Sequence, residues 1–157
     1  MKKLLFILGF ISLISLKSQA QLYNSAVGFR FGPGFFGGSY KFFRTNDNSL
    51  EGIVTFHDSF IKLSGLYELN EPIFEEMKKQ LAVFFGGGVA LGTGHFGNYH
   101  NDVTLIGIEG IVGIEYAFKG VPIAASLDWK PTFYLNGGTG YSGFWGNEAC
   151  FTIRYTF

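Results

Sequence analysis

Three histidines, one cysteine and a few short acidic side chains are all that this chain offers to nucleophilic or metal chemistry. His57 runs directly into Asp58 and Ser59, bringing together the base, acid and hydroxyl that acyl transfer requires, since an unassisted hydroxyl is a weak nucleophile at neutral pH. His95, His100 and Asp102 share one short stretch, and two neutral imidazoles with a carboxylate suit zinc, but their spacing is loose. The run Gly137-Gly138-Thr139-Gly140-Tyr141 lacks the lysine and following helix of a phosphate-cradling loop and reads as a turn. Cys150 stands alone, so neither an intramolecular disulfide nor a cysteine-based zinc site can form. Exposed loop histidines are therefore the preferred reading, and no catalytic residue, metal ligand or cofactor is assigned.

The remaining chemistry is electrostatic, and its spacing is regular. From Ser25 onward, period-two alternation recurs in short segments separated by Gly, Asn, Asp and Pro. In the last segment Ala149, Phe151, Ile153, Tyr155 and Phe157 share one face, while Glu148, Cys150, Thr152, Arg154 and Thr156 share the other. Ile123, Ala125, Leu127 and Trp129 alternate likewise with Ala124, Ser126, Asp128 and Lys130, and Ile106, Ile108, Val112, Ile114 and Tyr116 with residues that include Glu109 and Glu115. Across all segments the polar face collects Arg30, Lys41, Glu51, Lys62, Glu68, Glu109, Glu115, Asp128, Lys130, Glu148 and Arg154. Five are basic and six acidic, so their charges nearly cancel.

Strands must hold such a face. About eight are expected, over Ala26–Gly32, Gly38–Phe43, Ser49–His57, Phe60–Leu69, Gln80–Gly92, Thr104–Phe118, Pro122–Leu135 and Trp145–Phe157. Several exceed the usual length of about five or six residues and match the roughly nine to eleven that a membrane-spanning strand needs. Asn70–Lys79, with Pro72 and the run Glu75-Glu76-Met77-Lys78-Lys79, is the one piece of helical character and reads as a turn with a short helix. No linker, low-complexity tract or internal repeat interrupts the pattern.

The start of the chain is different. Lys2 and Lys3, the apolar run Leu4–Leu16 and the small residues of Ser18-Gln19-Ala20 predict a secretory signal over residues 1–20, cleaved after Ala20. Residues 21–157 then form one domain, which loses Lys2, Lys3 and Lys17 and carries nine basic against 12 acidic residues. An acidic balance argues against a nucleic-acid partner. With 18% aromatic residues, 23 glycines and only 15% charged residues, the composition is odd for a soluble domain, yet no apolar run after Ala20 is long enough for a membrane helix.

Alternation alone does not say which face is inside. A soluble, lipocalin-like carrier of apolar ligands would line its pocket with Phe29, Trp129 and Tyr155. The signal, and the placing of Tyr23, Phe29, Tyr40, Phe42, Tyr67, Tyr116, Phe118, Trp129, Tyr155 and Phe157 near strand ends as aromatic girdles, favour the reverse: apolar residues facing lipid and charges in a lumen. In hydrocarbon each unpaired backbone N–H or C=O costs several kcal/mol, so such a sheet must close. The interior of an eight-stranded barrel is just wide enough for side chains to fill. Acid–base pairing within it follows, because an unpartnered buried charge costs far more than a matched one.

The final Phe151-Thr152-Ile153-Arg154-Tyr155-Thr156-Phe157 looks like the alternating, Phe-terminated strand by which small outer-membrane β-barrels engage the barrel-assembly machinery, with Phe151, Ile153, Tyr155 and Phe157 as the signal. Tyr116-Ala117-Phe118-Lys119-Gly120-Val121-Pro122-Ile123 and Leu127-Asp128-Trp129-Lys130-Pro131 look like a periplasmic turn and penultimate strand of the same group. Over essentially all of residues 21–157 the chain thus resembles the small outer-membrane β-barrel proteins of Gram-negative bacteria. The resemblance implies an all-β, closed, antiparallel up-and-down transmembrane barrel with both termini in the periplasm. It would put Gly32–Gly37, Asp58–Ser59, Thr93–Val103 and Asn136–Phe144 outside the cell, and Arg44–Asn48, Asn70–Lys79 and Lys119–Gly120 in the periplasm. The lipid A deacylases of similar size carry a His-x-Ser-Asn pattern that is unmatched here, where His57 precedes Asp58-Ser59-Phe60 and His100 precedes Asn101-Asp102. The expectation is a non-enzymatic outer-membrane protein contributing to envelope integrity or surface interaction. Its partners are the lipid bilayer and the assembly machinery, and a monomer is the default, since a closed barrel has no free edge to force association. A lipid-modifying enzyme or a narrow solute conduit is the alternative.

Overall fold

The computed structural model describes residues 23–45, 47–73, 80–94, 103–135 and 143–157. The expected signal at residues 1–20, His95, His100, Asp102, the run Glu75–Lys79 and the glycine run at 137–141 lie outside the described residues.

Ten strand segments follow one another: β1 Ser25–Gly32, β2 Phe35–Phe43, β3 Asn48–His57, β4 Phe60–Pro72, β5 Leu81–Gly94, β6 Val103–Ala117, β7 Ile123–Trp129, β8 Thr132–Tyr134, β9 Gly143–Trp145 and β10 Ala149–Thr156. All pairings are antiparallel, and β5–β6 together with β1–β10 close the sheet on itself. Both β7 and β8 pair along β6, and β9 and β10 run on in the same line beside them, so the ten segments make eight staves. Followed once around the wall, the ladder from Ile108 through Val89, Gly65, Gly52, Tyr40, Val27, Tyr155 and Ile123 returns at Phe118, ten residues further on and just past the end of β6. A stagger of that kind accompanies strands tilted by about 35–45°. Both described chain ends meet on one rim, where Ser25 and Phe157 exchange backbone hydrogen bonds of 2.9 and 2.8 Å.

Alternation becomes burial. Outward positions are apolar, with Phe29 57% exposed and Leu127 55%, while inward Lys41 and Arg154 are fully buried. Phe29, Trp129 and Tyr155 all face out, so the lipocalin-like arrangement is not the one adopted. Tyr40, Tyr67, Tyr116 and Tyr155 are exposed in the half of the wall toward the terminal rim, whereas Phe36, Phe56, Phe133 and Phe144 are exposed in the other half.

The structure corrects several of the expected boundaries. The expected loop Gly32–Gly37 contracts to Pro33–Gly34: proline presets φ, Gly34 supplies φ 79°, and Gly37 is a strand residue packed so closely that a Cβ would sit 2.1 Å from the Val54 carbonyl oxygen. At the other end of β4, Asn70–Pro72 extend the strand instead of starting a turn, because Asn70 points inward to polar partners. Pro131, which has no N–H to give a ladder, separates β7 from β8. Opposite it, the three residues Gly146–Glu148 face the two residues Lys130–Pro131, a bulge held by a Lys130 N–H to Glu148 carbonyl bond of 2.9 Å. The bulge reverses inside and outside, so Trp145 packs inward while Phe144 is exposed. Trp129, placed in a girdle by the sequence, instead donates its indole N–H to the Gly146 carbonyl at 2.6 Å and ties the bulge down.

Inward-facing glycines make room for large neighbours. A Cβ on Gly28 would lie 2.9 Å from Arg154 Cγ, one on Gly92 2.2 Å from the Phe60 ring, and one on Gly113 2.5 Å from Phe84 and 2.7 Å from Asp128 Cβ. Outward Gly65 has nothing within 4 Å. Gly113→Val is expected to cost about 1–3 kcal/mol through overpacking, and Gly65→Val to be neutral within roughly 0.5 kcal/mol, read as urea midpoints of the refolded protein.

Candidate functional site

The lumen is where the sequence concentrated its chemistry, and all eleven charged residues of the polar face are buried there. They fall into two groups set at different heights by strand register.

Nearer the far rim, Lys62 on β4 and Lys130, just past β7, face Glu109 on β6 and Glu148 in the bulge. Lys62 contacts Glu109 at 2.9 Å and bonds Glu148, while Lys130 lies 2.8 Å from each of the same two carboxylates. Two cations and two anions thus form a closed, neutral square. Thr132 donates to Glu109 at 2.8 Å, and Lys62 and Lys130 reach Thr132 and Ser64 at 3.2 and 3.4 Å.

Nearer the terminal rim, Arg154 is the hub. Its two terminal nitrogens bind Glu51 at 2.7 Å and Glu115 at 2.8 Å, and Ser126 accepts a further bond of 2.5 Å. Lys41 pairs with Glu68 at 3.0 Å and donates to Asn70 Oδ1 at 3.1 Å, while the Asn70 amide donates to Ser49, which donates to Glu68. Arg30 takes Asp128 at 2.6 Å and approaches Glu51 at 3.7 Å. Three cations therefore face four carboxylates, and Glu51, Glu68 and Asp128 each keep one buried oxygen without a hydrogen-bond donor among the described residues. The Tyr23 hydroxyl donates to Glu115.

Apolar layers complete the filling. Ile53, Leu66, Phe84 and Ile111 pack in the middle, where Lys41 Nζ stands 4.4 Å from the Phe84 ring centre, within the range of a cation–π contact. Phe60, Leu105, Tyr134 and Trp145 close the far end, and Tyr23, Ala26, Phe43, Ala117 and Ala124 the terminal end.

Of the uncharged polar residues in the lumen, Ser126 was placed on the polar face by the alternation, while Ser64, Thr132 and Asn70 were not singled out. Ser64, Ser126 and Thr132 carry the same inward parity as the charges and were legible from it, whereas Asn70 was masked by its proline-containing neighbourhood. Tyr23, expected in an outer girdle, turns inward and is buried. His57 stacks on Phe35 at 6.4 Å between ring centres and meets Trp145 edge-on at 6.0 Å, and no hydrogen bond joins it to Asp58 or Ser59 among the described residues. Phe151, Ile153, Tyr155 and Phe157 project outward from the closing strand, opposite Phe31, Phe29 and Val27 for the first three. Among the described residues no cluster of His, Cys, Asp and Glu has the makings of a metal site.

No family model matches the chain, and no curated protein does. Solved structures do. The N-terminal β-barrel domain of Pseudomonas aeruginosa OprF superposes with a TM-score of 0.63 over 88% of this chain and 100% of that domain, at 16% identity. Neisserial surface protein A (NspA) gives 0.60 over 85% of this chain and 94% of its own, at 12% identity. The likeness is one of fold, an eight-stranded closed barrel of the small outer-membrane type.

Removing one member of a buried pair strands the other. Arg30→Met and Asp128→Leu are each expected to lower stability by about 3–5 kcal/mol, and the double variant to lie much closer to the parent than the sum of the two. Urea titration of all four proteins completes the cycle; additive losses would mean that the 2.6 Å contact is not an energetic unit.

Proposed function

We propose that the chain is an integral outer-membrane β-barrel, residues 21–157, released from a signal at residues 1–20 and set with both termini in the periplasm. One observation carries this reading: the wall is apolar on its outside and the charges are inside, the inverse of a water-soluble barrel. The OprF and NspA likenesses support it. The outward residues Phe151, Ile153, Tyr155 and Phe157 of the last strand are, on this reading, what the assembly machinery engages.

Its role is structural or adhesive, in envelope integrity or surface interaction. The lumen residues contribute stability instead of catalysis, because every buried cation is held by at least one carboxylate and His57 is committed to ring contacts. The same filling argues against a solute conduit, since ions would have to break the square of Lys62, Lys130, Glu109 and Glu148 to pass.

Cells expressing the full precursor are expected to yield the mature protein in the outer-membrane fraction, with a gel mobility that changes on boiling. Recovery as soluble periplasmic protein would overturn the membrane assignment. In planar bilayers the refolded barrel is expected to give no conductance steps, and regular steps would restore the conduit.

A further inference from the structure

The two charge groups of the lumen differ in their balance. The far square of Lys62, Lys130, Glu109 and Glu148 is neutral as it stands. In the other group Arg30, Lys41 and Arg154 face Glu51, Glu68, Glu115 and Asp128, one negative charge too many. Glu51 and Glu68 are 1% and 0% exposed, so bulk water does not screen the surplus.

Register locates it. Glu51 stands opposite Lys41 in the β2–β3 ladder and Glu68 opposite Ser49 in the β3–β4 ladder, which makes the two glutamates inward, diagonal neighbours on adjacent strands. Their carboxyl groups lie within hydrogen-bond reach of each other. Glu51 Oε2 and Glu68 Oε1 nevertheless have no donor among the described residues, and an ionised carboxylate can only accept. The other two carboxylates are placed differently. Glu115 takes the Tyr23 hydroxyl on one oxygen and Arg154 at 2.8 Å, with Lys41 at 3.7 Å, on the other, and Asp128 has Arg30 at 2.6 Å. Cys150 lies further off, opposite Asp128 in the β7–β10 ladder, and β5 carries no titratable side chain.

We infer that the lumen binds a proton between Glu51 and Glu68, carried on Glu68. That one proton supplies the missing donor, because a protonated carboxyl donates through its O–H and still accepts on its other oxygen. It also brings the group to three cations against three anions. Glu68 is the carrier because Glu51 faces two guanidiniums, Arg154 at 2.7 Å and Arg30 at 3.7 Å. Glu68 has the Lys41 ammonium at 3.0 Å, which it shares with Asn70, and the Ser49 hydroxyl at 3.2 Å. In the unfolded chain Glu68 stands in water, where a carboxyl at neutral pH is ionised, so a proton is taken up as the barrel forms. The inference needs the closed barrel and not its destination.

The test uses the mature chain refolded in detergent micelles, its closure checked by the mobility change on boiling. At neutral pH its infrared spectrum is expected to contain a carboxylic-acid carbonyl band that shifts when the glutamates are isotope-labelled and is lost in Glu68→Gln. The glutamine is near-isosteric with a protonated glutamate: its amide donates to Glu51 while its carbonyl accepts from Lys41. Glu68→Gln is therefore expected to keep a urea midpoint at or above the parent's. It is also expected to lose much of the fall in midpoint that the parent shows as the pH is raised from neutral into the alkaline range. Glu51→Gln, which takes a carboxylate from Arg154, is expected to lower the midpoint. Were Glu68 ionised, Glu68→Gln would strand Lys41 and its midpoint would fall as well. That fall, a Glu68→Gln chain that does not close, a parent without the band, or a band that survives in Glu68→Gln overturns the proposal.

Discussion

Arg154 reaches from the last strand to Glu51 and Glu115, 103 and 39 residues away along the chain. A guanidinium withdrawn from water is tolerable only if carboxylates wait where it arrives, and their places are fixed by strand register. Register in turn tolerates no error here, because a slip of one residue would send a strand's charges to the outer face and its exposed apolar residues inward. Electrostatics and ladder pairing therefore stabilise one another. The tight turns at Pro33–Gly34 and Asp58–Ser59 help by leaving the first four strands little freedom to slide.

What the sequence made legible was whatever depends on period two. Strand positions came within a few residues of those observed, and parity alone grouped the charges on one side of their strands. Which side was inside could not be read from parity, and neither could the partners. Arg30 finds Asp128 and Lys62 finds Glu148 only because a stagger of ten brings those heights together across the lumen. The bulge was also hidden, since Trp145-Gly146-Asn147-Glu148 continues the alternation on paper, and only the count of three residues against two reverses it. Tyr23 misled because an aromatic near a chain end suits a girdle as well as a plug.

The glycine content has a geometric reason that composition could not supply. Eight staves leave an interior too narrow for large side chains on every inward position, so Arg154, Phe60 and Phe84 each lie against a glycine on a neighbouring stave: Gly28, Gly92 and Gly113. Bulk on one stave is matched by its absence on the next. The filled lumen is thus as much a property of the glycines as of the charges.

The joining of Ser25 to Phe157 closes the cylinder between its first and last strands. The strand that seals the cylinder is also the one that delivers Arg154, so until the final residues have been made, Glu51 and Glu115 wait without their guanidinium and two strand edges stay open. Wall closure and the pairing of Glu51 and Glu115 with Arg154 depend on the same strand, at the longest sequence separation among the described strand pairings. A shortened or stalled chain is consequently left with two open strand edges and carboxylates that lack their cation, the condition under which unpaired edges stick to one another.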